Sequence, residues 1–299
     1  MHIIVTGGAG AIGRHAVHEL LSAGHSVTTI DLREPPQCMS GEQFIEGDLT
    51  IQSEALRVIR DADVVVHLAA IPNPDSDPPE RVLSVNTVST YNVAEAVRRN
   101  GIRRLVYGCS ESSSGFGIHY VNIKPQYLPI DETHPVCPHE TYSLSKRFGE
   151  EIAVWYAQAY GFEAVALRYA WVWLPRDAAG IQALVERHRA GNWQVGSWFG
   201  AYIAPQDVAQ AVRQACDVPL GCGRLEAFYL TAESTFYPVP TLEVLTAIFG
   251  ELPEVRDADY FVSNPYATPF DTRKARNMLG FRPAYDWRHY EEWVYATPK

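Results

Sequence analysis

The chain has 299 residues, 46% of them hydrophobic, which is enough apolar side chain for one large core or two modest ones. Its formal net charge of −10 and pI near 5.5 exclude nucleic acid or an anionic membrane as the main partner, since both select basic surfaces. The cysteines at 38, 109, 137, 216 and 222 are odd in number and scattered, and no apolar run reaches the ~18 residues of a membrane span. A strand pattern begins at once, with no room for a secretion signal, so a cytoplasmic protein is expected.

His2 to Thr6 is a short apolar run that breaks into Gly7-Gly8-Ala9-Gly10-Ala11-Ile12-Gly13, after which a helical pattern continues through Val17, Leu20 and Leu21 to Gly24. Strand, glycine turn and helix together make a phosphate site: the glycines let backbone approach a pyrophosphate, and the helix N-terminus offers free N–H groups. Ser26 to Ile30 reads as a second strand that ends at Asp31, and a carboxylate there is placed to meet adenosine ribose hydroxyls. Asp31 would repel a 2′-phosphate, which favours NAD over NADP, with Arg33 close by as the one contrary feature.

From there strands and helices alternate as in a parallel sheet. Phe44 to Glu46 is a short strand leading to Gly47-Asp48-Leu49, Gln52 to Arg60 a helix, and Asp63 to His67 a β-branched strand running into Leu68-Ala69-Ala70. Small residues at a strand's carboxyl end let a flat ligand lie against backbone. A polar, Pro-rich loop over 71–79 precedes a long helix from about Glu80 to Arg99, in which Asn86 sits among apolar neighbours and must find partners if buried. Arg104 to Cys109 is the next strand. It runs into Ser110-Glu111-Ser112-Ser113-Ser114-Gly115, where Ser110 is a candidate donor to a reacting oxygen and Ser112 or Ser113 a candidate substrate contact.

In Thr141-Tyr142-Ser143-Leu144-Ser145-Lys146, Tyr142 and Lys146 stand four apart in a helical run and share a face. A cation beside a phenol favours the phenolate and moves a poor acid or base toward the working range. His134, Cys137 and His139 lie among prolines without a second cluster, so no metal is expected.

Taken together, Thr6 to Gly13, Gly47-Asp48-Leu49, His67 to Ala70, Val85-Asn86-Thr87, Ser110 and Tyr142-x-x-x-Lys146 resemble the extended short-chain dehydrogenase/reductases of the NAD-dependent epimerase/dehydratase family. The likeness covers roughly residues 1 to 170 and, weakly, Asp207 to Ala211 and Asp271 to Pro283. It implies that Asp48 and Leu49 hold the adenine, that Leu68, Ala69 and Ala70 line the cofactor, that Lys146 binds the nicotinamide ribose, and that Tyr142 shuttles the proton with Ser110 beside it. The full cofactor set expected is Gly7, Gly10, Ala11, Ile12, Gly13, Asp31, Leu32, Arg33, Asp48, Leu49, Leu68 to Ala70, Asn86, Tyr142, Lys146 and Tyr169.

Many nucleotide-sugar epimerases of this kind carry an Asn where this chain has Trp171 and a Gly where it has Leu174, and they use more chain than 175–199 supplies. Both points favour a small substrate without a diphosphate. The 110–117 loop and Ser197-Trp198-Phe199-Gly200 resemble the layout of uronate dehydrogenases, although Trp193 stands near the place of their carboxylate-binding Arg; Arg176, Arg187 or Arg189 would have to replace it. Of the tryptophans at 171, 173, 193 and 198, those at 171 and 198 are taken as substrate contacts.

The expected fold is α/β: a doubly wound parallel sheet (Rossmann) over 1–170 plus about 204–230, with a smaller C-terminal substrate cap over 171–203 plus 231–299. The expected function is NAD-dependent hydride transfer at a secondary alcohol or ketone of a small sugar or sugar acid. A nucleotide-sugar 4-epimerase with tightly bound NAD and a non-catalytic NAD-binding regulatory protein are the other readings. A homodimer through helices near 80–100 and 140–160 is what the family resemblance implies.

Overall fold

A computed structural model describes residues 1–116, 121, 123–192, 199–220 and 224–296. The N-terminal half alternates as β1 (His2–Thr6), α1 (Ala11–Ser22), β2 (Ser26–Asp31), β3 (Glu42–Glu46), α2 (Gln52–Val58), β4 (Val64–His67), α3 (Pro79–Arg99) and β5 (Arg104–Ser110). A 3₁₀ turn (Glu111–Ser114), β6 (Tyr127–Leu128), α4 (Thr141–Tyr160), β7 (Glu163–Tyr169), β8 (Trp171–Val172), α5 (Ala178–Arg189), β9 (Tyr202–Ile203), α6 (Pro205–Asp217) and β10 (Leu225–Leu230) follow. The chain closes with α7 (Thr241–Phe249), β11 (Glu254–Val255), α8 (Ala258–Ser263), α9 (Arg273–Met278) and α10 (Tyr290–Trp293).

Seven strands form one parallel sheet in the order β10-β7-β5-β4-β1-β2-β3. β4, β5 and β7 are buried along their whole length, as strands covered by helices on both faces must be. One face packs α1 and α6 over Val5, Val66, Val106 and Leu167; the other packs α2, α3 and α4 over Ile4, Val65 and Leu105. At about 1.5–3 kcal/mol for each buried Val, Leu or Ile, these two layers are the main favourable term. The connections run outward from β1 through β2 to β3 and then return to β4, so the order reverses between β1 and β4. Open sheets of this kind bind ligands at the carboxyl ends beside that reversal.

Two buried ion pairs fasten the far side. Arg104 donates to Glu163 at 2.6 and 2.8 Å and to the carbonyls of Ala215 and Cys216 at 2.8 Å, pinning the end of α6 to the sheet. Arg168 of β7 grips Glu150 of α4 at 2.6 and 2.8 Å. Removing one partner of such a pair strands a buried charge.

Trp173, fully buried, stacks near Trp293 and Tyr202 in an aromatic cluster with Phe236 and Trp287, so it packs the smaller lobe rather than a ligand. The segment assigned to the cap from 231 onward divides: Ala275, Leu279 and Phe281 pack into the core of the main sheet, since α9 lies along β10. Among the described residues, no helix is long and apolar enough to cross a membrane.

Candidate active site

The glycine turn between β1 and α1 leaves no room for a side chain at Gly7 or Gly13. Gly7 has φ +71°, and a Cβ on it would stand 2.6 Å from the Ala69 nitrogen; one on Gly13 would stand 2.1 Å from the Gly7 carbonyl oxygen. No side chain caps the start of α1, so its first N–H groups are open to an anion. Beside the turn lies a cavity of about 450 Å³ whose wall includes Gly7, Gly10, Ala11, Ile12 and Gly13, then Asp31 and Leu32, Asp48 and Leu49, and Leu68 to Ala70 with Tyr169. Asp31 accepts the N–H of Ala9 at 3.1 Å on one oxygen and of Leu32 at 2.7 Å on the other, which orients the carboxylate and leaves each oxygen a second lone pair. Arg33 is exposed and does not border this cavity.

A second cavity of about 410 Å³ adjoins the first and shares Ile12, Leu68, Ala70, Tyr169, Leu174 and Arg176 with it. Ser110, Tyr142 and Lys146 all border this second cavity. They come from two elements: Ser110 ends β5, whereas Tyr142 and Lys146 occupy the first turns of α4. Glu140 caps that helix, accepting the N–H of Tyr142 at 2.6 Å and that of Ser143, so the cap sets where Tyr142 starts. Ser110 stands beside the Tyr142 phenol and favours its ionised form, and the Ser110 hydroxyl receives the Ser112 N–H at 3.2 Å and the Ser112 hydroxyl at 2.9 Å.

The electrostatics depart from the expectation drawn from spacing. Lys146 donates to the Gly108 carbonyl at 2.9 Å, and its ammonium lies 5.7 Å from the Tyr142 ring centre. Burial pushes the Tyr142 phenol well above its ordinary range, with Tyr169 and Cys109 adding to the effect and the Ser110 hydrogen bond opposing it. Burial likewise lowers Lys146, to about 8, which leaves it charged at neutral pH. In the protein alone desolvation therefore outweighs the neighbouring cation, and the tyrosine is a neutral phenol.

Asn86 does not border either cavity. It braces the 69–71 strap instead: its side chain accepts the Ile71 N–H at 2.7 Å, donates to the Ile71 carbonyl at 3.1 Å, and reaches Ser145 on α4 at 3.1 Å. His67 joins Thr6 of β1 at 2.7 Å to Thr90 of α3 at 3.1 Å, and burial, with Lys146 adding to it, drives its pKa down to about 3, so it is a neutral tie.

Among the proposed substrate contacts, Ser112 and Trp171 border the second cavity, whereas Ser113 is fully buried behind it against Cys109. The 3₁₀ turn after Ser110 explains the difference, because successive side chains on a turn point in different directions. Trp193 and Trp198 lie outside the described residues. Arg176 borders both cavities, while Arg187 bonds the Ala183 carbonyl and Arg189 pairs with Glu291. Wall residues without a role in the sequence reading include Asp75, Glu111, Ala201 and Phe270. Glu111 had a legible signal, an acid inside a serine run at a strand's carboxyl end; Phe270 had none, because only folding brings it there. His134 uses both ring nitrogens, one on the Gln126 N–H and one on the Pro135 carbonyl.

The model of the NAD dependent epimerase/dehydratase family matches residues 3–219. The chain belongs to the NAD-dependent epimerase/dehydratase family. A protein called L-arabinose 1-dehydrogenase (NAD(P)(+)) from Haloferax volcanii is 31% identical over 79% of this chain and 90% of its own length. A putative UDP-glucose 4-epimerase from Methanocaldococcus jannaschii is 32% identical over 60% of each chain. A crystal structure of UDP-galactose 4-epimerase superposes with a TM-score of 0.69 at 26% identity, covering 95% of this chain and 94% of that one.

The chain is therefore an NAD-dependent enzyme of the extended short-chain dehydrogenase/reductase type. The first cavity fits NAD on structural grounds: the turn admits no Cβ at Gly7 or Gly13, the uncapped helix end suits a pyrophosphate, and an oriented carboxylate stands at the tip of β2.

Proposed function

We propose that this enzyme oxidises a secondary hydroxyl of a small free sugar or sugar acid and can run the reverse reduction. The observation that carries this reading is that Trp171 and Leu174 both line the second cavity, at positions where, by the family resemblance, many nucleotide-sugar epimerases carry an Asn and a Gly. Trp171 packs edge-on against Trp173 and Phe236, so this wall is filled with aromatic surface where a diphosphate would need polar partners. A space of about 410 Å³ suits one sugar ring.

In this reading bound NAD supplies the hydride acceptor, held by the glycine turn, Asp31, Asp48, Leu49 and the 68–70 strap. Tyr142, as the phenolate that the positive charges of Lys146 and of bound oxidised NAD would favour, takes the proton from the substrate hydroxyl, and Ser110 donates to the same oxygen as charge develops on it. Lys146 keeps a positive charge beside that event and is itself anchored on Gly108. Arg176 is the cation placed to meet a carboxylate.

The test mixes the enzyme with NAD and, in turn, L-arabinose, D-galactose, D-galacturonate, D-glucuronate and UDP-glucose, reading NADH absorbance. NADH formation with a free sugar or sugar acid is expected. Interconversion of UDP-sugars with no net NADH supports the 4-epimerase instead, a reading favoured by the 95% coverage of this chain in the epimerase superposition. Ser110, Tyr142 and Lys146 together in one cavity wall argue against a non-catalytic NAD-binding regulator, which has no use for a proton shuttle.

The same reading includes a homodimer. Helices α3 and α4 pack against each other and expose Tyr91, Phe148, Trp155 and Tyr160, an apolar surface of the kind that a second copy covers. A cytoplasmic location accords with the free state of Cys38, Cys109, Cys137 and Cys216.

A further inference from the structure

Glu150 stands one turn beyond Lys146 on α4, on the same face, and is buried. Both of its oxygens are engaged. Oε1 accepts from Arg168 Nη2 at 2.6 Å and from Arg147 Nη1 at 2.9 Å, while Oε2 accepts from Arg168 Nε at 2.8 Å and from the Cys109 thiol at 3.4 Å. Cys109 of β5 and Arg168 of β7 are register partners, and the next pair along these strands is Ser110 and Tyr169, both in the wall of the second cavity. One carboxylate therefore joins the helix that carries Tyr142 and Lys146 to the two strand ends facing it. Burial opposes its charge, but the hydrogen bonds and charge of Arg168 more than offset that and hold it below the usual carboxylate range.

Apart from Tyr142, Lys146 and Glu150, the buried residues of α4 are small: Ser143, Ser145, Gly149, Ala153 and Ala157. Such side chains form shallow ridges, which do little to hold a helix in one rotation. Tyr142 is eight residues from Glu150, about 12 Å along the axis, and a turn of the helix by about 10° moves a side-chain tip by about 1 Å. We propose that Glu150 is a positioning residue: gripped by Arg168 and Cys109, it fixes the rotation of α4 that places the Tyr142 hydroxyl beside Ser110 and the Lys146 ammonium on the Gly108 carbonyl. Stability alone does not account for an ion pair here, because apolar residues of similar volume often replace a buried pair at no loss. The inference rests on Tyr142 as the proton carrier, and it adds what sets the place of that carrier.

The test compares NAD-loaded wild type, Tyr142→Phe, Glu150→Asp and the double variant Glu150→Leu with Arg168→Met. The double variant removes one negative and one positive charge, so the local net charge is unchanged. The groups that face the phenol are also unaltered: Lys146 and Glu140 on α4 and its cap, Ser110 and Cys109 on β5, and Tyr169 on β7. In the double variant kcat for the panel substrate that is turned over is expected to fall about tenfold to a hundredfold, with KM for NAD and for that substrate nearly unchanged. The rise of kcat/KM with pH is expected at higher pH than in the wild type, because a phenol set farther from the ammonium loses support for its ionised form. Glu150→Asp keeps the charge and shortens the arm by one methylene, and it is expected to move both readouts the same way even where the double variant does not fold.

A second measurement needs no turnover. Tyrosinate absorbance of the NAD-bound protein, with and without Tyr142→Phe, gives the pH at which Tyr142 ionises, and on the Glu150→Asp background that pH should be higher. Ionisation at the wild-type pH, or wild-type kcat in the folded variants, would overturn the assignment; so would a loss of Tm and NAD binding with no shift in the pH profile. With Tyr142→Phe inactive, those results leave the proton carrier standing. Full activity in Tyr142→Phe would instead remove the proton carrier, and this assignment with it.

Discussion

Tyr142 and Lys146 share a helix face, and their roles separate once the fold surrounds them. Lys146 spends a hydrogen bond on Gly108, while Tyr142 meets Ser110 across the gap between α4 and β5. Replacing Tyr142 by Phe keeps the packing and removes the proton carrier, so turnover should fall by about 10²–10⁴. NAD affinity, followed by fluorescence on NADH binding, should be preserved; residual activity near wild type would remove Tyr142 from the chemistry. In the same wall, Arg176 makes a loose 3.8 Å contact with Asp177 and its side chain is 58% exposed, which suits a cation that meets an anion. Arg176→Ala should raise KM for uronates by tenfold or more and leave neutral sugars nearly unaffected; equal effects on both would deny it a carboxylate.

At the scale of elements, the β1–α1 turn is the least forgiving part of the chain. A methyl at Gly13 collides with the Gly7 carbonyl, and only backbone movement relieves it. Gly13→Ala should therefore lose NAD binding in calorimetry, and tight binding by that variant would show that the turn does not hold the pyrophosphate.

The joint between α6 and the C-terminal segment has a different sensitivity. Asp207, buried near the start of α6, accepts the N–H of Ala284 at 2.9 Å and of Tyr285 at 3.4 Å, and burial raises its pKa to about 7. The folded protein thus keeps a proton there that the unfolded chain releases near pH ~4. The folded state binds the extra proton between those values, so stability contributed by this group declines as pH rises from about 4 to about 7. Asp207→Asn should cancel that slope: the Tm difference, variant minus wild type, should grow between pH 4 and 7 in a thermal-shift series. A difference independent of pH would contradict the raised pKa.

For the whole molecule, the helical face of α3 and α4 opposite the sheet is where the proposed dimer would form. Trp155 is 61% exposed there, far more than so large an apolar side chain is usually left. Trp155→Glu should turn a dimer into a monomer by light scattering, with NADH formation used to ask whether the site needs the partner. A wild type that is monomeric at all concentrations would end the proposal.

What the amino-acid order determined by itself was local. Strand period, the glycine turn, Asp31 at a strand tip and the four-residue spacing of Tyr142 and Lys146 are short-range patterns, and each reports which backbone shape and which chemistry a segment can adopt. They sufficed for the parallel α/β fold and for the elements that carry the reacting groups. Only the tertiary structure decided what those groups experience. Burial, not the adjacent lysine, controls Tyr142 in the protein alone; Asn86 braces the neighbouring loop at Ile71, as a buried Asn among apolar residues would, and lines neither cavity; Ser113 turns away where Ser112 does not; and α9 joins the sheet's core. Desolvation, pairing and side-chain direction depend on segments far apart in the chain meeting at one place, and no spacing within a single segment contains that information.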